Sequence, residues 1–142
     1  MVEPAVESFL ESGSKLAELA TVSASDWPQV TPIWYLYDNG HVYMTTTTNR
    51  KKYTNIENKP RVALFIGDPN DAYRGIEIQG KVNFIRDHLE EWNRRLAARY
   101  HPPEEVEQTV QYLMSEPRVI LEVTPKRVTK IGSSWLRRQS DA

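Results

Sequence analysis

Residues 29–47 read QVTPIWYLYDNGHVYMTTT, and this stretch decides what the chain can fold into. Both halves are rich in β-branched and aromatic side chains, which favour strands. They flank Asp38-Asn39-Gly40, and an Asn-Gly pair between two such runs is the strongest short-range signal for a hairpin. The pattern therefore predicts two paired antiparallel strands, at Gln29–Tyr37 and His41–Thr47.

Pro32 interrupts the first of these strands. Proline has no N–H group to donate to a neighbouring strand, so we expect an edge, a bulge or a stretch that faces a ligand. A flat heteroaromatic ring could hydrogen-bond to backbone groups left free around Pro32, Ile33 and Trp34. The alternative is an ordinary edge strand with Trp34 in the core, and the residues alone favour that alternative.

The rest of the chain adds strands on both sides of the hairpin and two long helices. Further strands are predicted at Leu16–Ser23, Arg61–Ile66, Tyr73–Ile85, Pro117–Val123 and Arg127–Ile131, and helices at Glu3–Ser12, Asn49–Lys59, Asp87–Tyr100 and Glu104–Met114. Asp87 and Glu90 fit a capping box at the start of the third helix. About seven strands with a helical insertion between the fifth and sixth predict a mainly β protein, a small antiparallel barrel with outer helices.

Size and composition narrow the possibilities. The 142 residues suit a single domain, with a polar tail from about residue 136. Lys and Arg number 18 against 19 Asp and Glu, and this balance disfavours nucleic-acid binding. There is no cysteine, so thiolate metal sites and cysteine nucleophiles are excluded. No apolar run is long enough for a membrane span and the N-terminus lacks a basic region, so a cytoplasmic location is expected.

The segment Thr45-Thr-Thr-Thr-Asn-Arg-Lys-Lys52 is the most informative for function. Hydroxyl groups leave a strand end and three cations follow, beside the predicted start of a helix. Hydroxyls, backbone N–H groups and cations in this arrangement can cradle a phosphate. A solvated loop followed by a basic helical turn is the other interpretation, and such charge runs are common.

Groups for acid–base or nucleophilic catalysis are not evident. His41, His88 and His101 are predicted to be exposed, and their spacing suits neither a metal site nor a nucleophile–base pair. The sequence contains neither GxGxxG nor GxxxxGK[ST], which lowers the odds of a Rossmann site or a P-loop.

Three segments in this order resemble the pyridoxamine 5′-phosphate oxidase-like superfamily of split β-barrels. They are LATVSASDWPQVTPIWY, VYMTTTTNRKKYTNIENKPRVAL and YRGIEIQGKVNFI. The chain is most similar to the single-domain flavin- or deazaflavin-dependent oxidoreductases of that superfamily. The resemblance covers roughly residues 5 to 135 and implies a six- or seven-stranded antiparallel split β-barrel with a helical insertion.

The resemblance also implies a cofactor site at a homodimer interface. Lys51 and Lys52 match the basic pair that binds the cofactor phosphate, and Arg50 takes a position that is usually serine. A threonine at the strand end, Thr45 or Thr46, would reach the phosphate or ring. The full set of cofactor-binding residues implied here is Pro32, Ile33, Trp34, Thr45, Thr46, Thr47, Arg50, Lys51, Lys52 and Trp135. Trp135 would pack near the interface or, alternatively, plug the barrel.

The implied activity is hydride transfer to or from a small organic substrate, with FMN or the deazaflavin coenzyme F-420 as cofactor. Vitamin B6 oxidation itself is not expected, because Val30 and Tyr35 replace the Arg and Lys of the true oxidases. The C-terminal Arg-x-His-like motif is also lacking. A non-catalytic flavin- or haem-binding protein on the same fold is the main alternative. A barrel that binds single-stranded nucleic acid is a weaker one.

Overall fold

The computed structural model describes residues 2–136, which form seven strands, four helices of eight to twelve residues and a short helical segment at 134–136. The strands are β1 (Ala17–Val22), β2 (Pro28–Ile33), β3 (Leu36–Asp38), β4 (His41–Thr47), β5 (Arg61–Asp68), β6 (Asp71–Ile85) and β7 (Arg118–Ile131). The helices are α1 (Pro4–Glu11), α2 (Lys51–Asn58), α3 (Leu89–Tyr100) and α4 (Pro103–Met114). All pairings are antiparallel, in the order β2-β1-β5-β6-β7-β4-β3. The predicted mainly β class is confirmed.

The predicted strand Gln29–Tyr37 is wrong, because it is two strands at opposite ends of the sheet. β2 pairs with β1, whereas β3 forms the Asn-Gly hairpin with β4. Trp34 and Tyr35 form the connection from β2 to β3. An extended chain advances about 3.3–3.6 Å per residue, so the two end strands must approach each other here. The sheet is therefore rolled into a barrel that does not close.

The last two predicted strands, Pro117–Val123 and Arg127–Ile131, are one continuous strand, β7. Its register with β6 shifts between Gln79 and Gly80, which faces Pro125. A Cβ atom at Gly80 would lie 2.6 Å from the Thr124 carbonyl oxygen, so the close approach depends on glycine. Because the predicted strand Gln29–Tyr37 is two strands, the helical insertion follows the sixth strand rather than the fifth.

The capping box predicted at Asp87 and Glu90 is absent. α3 begins at Leu89, and its N-cap is His88, which has φ 53° and no side-chain cap hydrogen bond. The left-handed conformation of His88 turns the chain sharply out of β6. The polar tail expected from about residue 136 lies outside the described residues, apart from Leu136.

The main core fills the barrel, and α1 covers one end of it. Val6, Phe9 and Leu10 of α1 pack into the core formed by the inward faces of the strands. The α3–α4 pair packs on the outside, where Leu96 meets Tyr43 and Ile120 in a second cluster. Among residues 2–136, no helix is both long and apolar enough to cross a bilayer.

Candidate functional site

A cleft of about 760 Å³ lies at the split of the barrel. Its volume is within the usual range for small-molecule sites. It is lined by residues from five parts of the chain: Leu16, Pro32, Ile33, Trp34, Thr45, His101, Glu105, Gln108, Thr109, Tyr112, Leu113 and Arg118. Four of the ten cofactor-binding residues predicted from the sequence, Pro32, Ile33, Trp34 and Thr45, are therefore brought together.

Two free strand edges border this cleft. Within residues 2–136, β2 ends the sheet and pairs only with β1. β3 stops opposite Tyr43, so residues 44–47 of β4 pair only with β7. Backbone N–H and C=O groups at such edges have no strand partner and are available to a ligand. The expected edge position of Pro32 is confirmed, and an edge strand next to a cleft suits a flat ring with hydrogen-bonding atoms.

Thr45 presents an unpaired hydroxyl at the cleft. The residue is 7% exposed, and its Oγ1 atom has no hydrogen-bond partner within residues 2–136. A buried polar atom without a partner costs about 1–3 kcal/mol. A ligand oxygen or nitrogen in the cleft would satisfy it. Thr45 is thus the observation in this structure that fits the presence of a polar bound group.

Three cations stand at the N-terminus of α2. Arg50 is the N-cap, Lys51 and Lys52 begin the helix, and the first turn contains no acidic residue. The N-terminus of a helix carries partial positive charge, so cations there are unfavourable unless an anion is bound. None of the three side chains forms an ion pair or hydrogen bond with another described residue.

Lys52 is partly withdrawn from solvent, whereas Arg50 and Lys51 are exposed. Burial lowers the pKa of Lys52, and the positive charge of Arg50 lowers it further. Both effects disfavour the charged form of Lys52. A phosphate group would reverse that balance.

Arg118, at the start of β7, belongs to the same electrostatic neighbourhood and was not predicted. Its Cα is paired with that of Thr47, and its side chain is 9% exposed. The Nε atom donates to the Leu113 carbonyl oxygen at 2.9 Å, and Nη2 lies 3.4 Å from Glu116. Burial lowers the pKa of Arg118; Glu116 opposes this effect and Arg50 adds to it.

Aromatic rings form one wall of the cleft. Trp34 stacks on Tyr100 and meets the edge of His101 at 5.4 Å. A stripe of α4 at helical spacing adds to the lining, with Glu105, Gln108, Thr109 and Tyr112 among its residues. An apolar surface with a few polar groups is typical of sites for ring-containing ligands.

The other predicted residues lie outside the cleft lining. Thr46 and Thr47 are buried on β4, where the Thr47 hydroxyl donates to Asn49 at 2.5 Å. Trp135 is 4% exposed and belongs to the main core, with Arg74 4.0 Å from its ring and its Nε1 donating to the Gly75 carbonyl oxygen. This is the barrel-plugging arrangement. A cofactor role for Trp135 stays a prediction.

An antiparallel barrel opened along one side, with a ligand-sized cleft at the opening, defines a split β-barrel protein. The chain belongs to the pyridoxamine 5′-phosphate oxidase family, whose family model matches residues 2–132. The family resemblance seen in the sequence is therefore confirmed.

Solved structures agree with this assignment. A structure named F-420 reductase is 32% identical, covers 90% of this chain and 98% of its own, and has a TM-score of 0.73. A conserved hypothetical protein from Mycobacterium tuberculosis is 23% identical over 92% of this chain and 84% of its own, with a TM-score of 0.74. General stress protein 26 from Bacillus anthracis is 20% identical over 87% and 89%, with a TM-score of 0.63. No curated protein sequence matches the chain.

Proposed function

We propose that the protein is an oxidoreductase that transfers hydride to or from a small organic substrate and uses FMN or coenzyme F-420 as its cofactor. When bound, either cofactor supplies the hydride chemistry, so the protein needs to bind and orient the cofactor and to shield the reacting atoms. The observation that carries the proposal is the set of unpaired cations at the start of α2, next to a cleft with an unpaired Thr45 hydroxyl.

The residues divide into a phosphate end and a ring end. Arg50, Lys51, Lys52 and Arg118 would neutralise the phosphate, with Thr45, Thr46 or Thr47 as hydroxyl donors. The free edge of β2 at Pro32–Trp34 would meet the ring, and Trp34 would lie beside it. This division follows the position of the charges, because the described cations near the cleft gather around α2 and the start of β7.

The deazaflavin is the better supported of the two cofactors. The structure named F-420 reductase shares 32% of its residues with this chain over nearly its whole length. FMN remains the alternative, since both cofactors present a phosphate and a flat tricyclic ring to the same kind of site.

We also propose that the protein is a homodimer, built on the outer face of strands β1, β2, β5 and β6. The middle of this face is small and apolar: Ala20 is paired with Val30 on one side and Ala63 on the other. Val30 is 63% exposed. An exposed apolar surface with small side chains is suited to close packing against a partner.

Charges border this apolar centre in a self-complementary way. A row of neighbouring residues runs across the strands on each side of this centre. In one row Glu18 and Glu77 flank Phe65, and in the other Arg61 lies opposite Lys81 on the adjacent strand. A twofold axis through the middle row would place each acidic row opposite the basic row of the second copy. Pro32, which is paired with Glu18, belongs to the acidic row and also lines the cleft. A second copy would therefore cover one side of the cleft.

Titration of the purified apoprotein tests the cofactor site. The double variant Lys51→Ala, Lys52→Ala should lose FMN or F-420 affinity, because each charge-assisted contact to phosphate contributes about 1.5–3 kcal/mol. Riboflavin lacks the phosphate, so weak binding of riboflavin should be unchanged in the double variant. Lys130→Ala is the matched control, since Lys130 lines neither the cleft nor the proposed dimer face and forms an ion pair with Glu3.

Equal affinity of the wild type and the double variant for the phosphorylated cofactor would overturn the phosphate assignment. Tight binding without turnover of any acceptor would instead favour the non-catalytic flavin-binding alternative.

A further inference from the structure

A second cavity, of about 680 Å³, lies between the loop that follows α1 and the turn that joins β5 to β6. It is lined by residues 12–16 and 67–70, together with Phe9 and Arg74. Leu16 also lines the cleft, so the two spaces are neighbours. The proposed function assigns no role to this cavity.

Arg74 of β6 brings a fixed guanidinium group to the cavity. The side chain is 9% exposed, and its central carbon lies 4.0 Å from the ring centroid of Trp135 and 4.9 Å from that of Phe9. Nη1 donates to Oδ2 of Asp68 at 2.9 Å. Because two rings and an ion pair already hold the guanidinium in place, it loses little further freedom when a ligand binds.

One edge of this guanidinium has no partner. Nε is buried, and neither Nε nor Nη2 forms a hydrogen bond within residues 2–136. The N–H groups on this edge form a rigid fork that matches the two oxygens of one carboxylate. A buried donor without an acceptor is unfavourable. Arg74 therefore holds Asp68 with one nitrogen and leaves a bidentate position open.

Arg99 shows what a purely structural arginine does nearby. Its Nη1 and Nη2 atoms donate to the carbonyl oxygens of Glu11 and Leu10, at the end of α1. Both terminal nitrogens are thus used to hold the helix. Arg74 differs, because its Nη2 atom is left over at the lining of a cavity.

The charges around the cavity favour an anion. Burial lowers the pKa of Lys15, and the positive charges of Arg99 and Arg74 lower it further, whereas Asp68 opposes them. Lys15 donates to three oxygens in the segment that ends α1, so its ammonium group acts on the cavity through its charge. A negative group bound here would relieve the repulsion among the three cations.

We infer that this cavity is a binding site for the carboxylate of a small organic acid, and that Arg74 is the residue that contacts it. The two carboxylate oxygens would accept hydrogen bonds from Nε and Nη2, while Nη1 keeps its bond to Asp68. Because Asp68 already offsets part of the positive charge, a singly charged planar group suits the cavity better than a phosphate dianion. The site is separate from the proposed phosphate site at α2 and does not depend on it.

Titration with succinate tests the inference, and the Nε–H resonance of Arg74 in NMR spectra reports on the contact directly. In the wild type this resonance should shift as succinate binds, whereas uncharged succinamide should have no effect. Arg74→Lys keeps the positive charge but loses the fork, and should bind succinate about 10-fold more weakly. Arg95→Gln should match the wild type, since Arg95 is a half-exposed arginine that pairs with Asp38.

Asp68→Asn tests the site without removing the buried cation. The substitution keeps the shape of the side chain and removes the negative charge beside Arg74, so succinate should bind several-fold more tightly. If Arg74 serves only the ion pair, Asp68→Asn should give no such gain.

The double variant Lys51→Ala, Lys52→Ala separates this cavity from the site at α2. It should bind succinate with the affinity of the wild type. Loss of succinate binding in the double variant, with the Arg74 resonance unmoved in the wild type, would place the acid at α2 and overturn the inference. Equal affinity of Arg74→Lys and the wild type, or no binding of succinate by the wild type, would overturn it as well.

Discussion

The indole of Trp34 lies flat against the phenol ring of Tyr100, with ring centroids 4.8 Å apart and planes 7° from parallel. Tyr100 ends α3, and its hydroxyl accepts a hydrogen bond from the Tyr35 N–H and donates one to the Lys15 carbonyl oxygen. One side chain therefore joins the helical insertion, the β2–β3 crossover and the segment before β1. The aromatic wall of the cleft is fixed by the same contacts that hold the two ends of the sheet together.

Tyr100→Phe should keep the stack and lose these hydrogen bonds. The Tyr35 N–H would be left without its partner beside a fully buried side chain. We expect the free energy of unfolding to fall by about 1–3 kcal/mol. Urea unfolding measures it, with Tyr112→Phe as a control because that side chain is exposed. Equal stability of Tyr100→Phe and the wild type would contradict the bridging role.

Arg118→Gln should weaken cofactor binding without weakening the fold to the same degree. The variant removes a buried charge that lies near Arg50, so the apoprotein loses a repulsion as well as a hydrogen bond to Leu113. A phosphate contact of about 1.5–3 kcal/mol predicts a loss of affinity of roughly 10- to 150-fold. Titrations with FMN, F-420 and riboflavin measure it, and riboflavin should not respond. An equal loss for riboflavin would place Arg118 outside the phosphate site.

Alkaline pH should destabilise the protein through its buried phenols. Burial raises the pKa of Tyr35 to about 12, and the pKa values of Tyr37 and Tyr43 also rise to about 12. An unfolded tyrosine ionises near pH 10, so the unfolded chain releases these protons first. The stabilisation that the protonated phenols give the folded protein is complete below pH 10 and is lost as the pH rises towards 12.

Urea midpoints between pH 8 and 11.5 check this expectation. In Tyr35→Phe the urea midpoint should decline less steeply above pH 10. The Leu10 carbonyl oxygen loses the Tyr35 hydroxyl as a donor at every pH. Absorbance at 295 nm follows phenolate formation directly. Ionisation of all three phenols near pH 10 in the folded protein would contradict the prediction.

The proposed dimer should respond to charge reversal in a paired manner. Glu18→Lys with Glu77→Lys would place basic rows opposite basic rows and should favour monomers. Adding Arg61→Glu and Lys81→Glu exchanges the two rows and should restore the dimer. Sedimentation velocity at low salt measures the oligomeric state. A wild-type monomer, or a dimer that ignores the reversal, would exclude this face as the interface.

Local signals in the sequence were sufficient for most elements. The Asn-Gly hairpin and the polar helix after Thr47 depend on neighbouring residues and are both present. The break at Trp34–Tyr35 could not be predicted in this way. Both residues favour strands, and the chain leaves β2 because the rolled sheet brings its two ends together, a long-range condition.

The site was predictable only where it is contiguous in sequence. The hydroxyls and cations of residues 45–52 form one run, so the sequence alone could suggest the phosphate cradle proposed here. Arg118 joins them through the pairing of β7 with β4, and no local pattern marks it beyond its place at a strand start. The cleft residues of α4 carry an ordinary amphipathic pattern, so their role depends on where the helix docks.

The α3–α4 insertion packs on the barrel through one face and lines the cleft with another. Leu96, Ala97 and Val110 hold it in place, while Glu105, Gln108 and Thr109 line the cleft and add little to the core. Substitutions on the second face can reshape the ligand pocket at small energetic cost. Substitutions on one surface of α4 could therefore change which compounds the cleft binds in the course of evolution, while the strands stay unchanged.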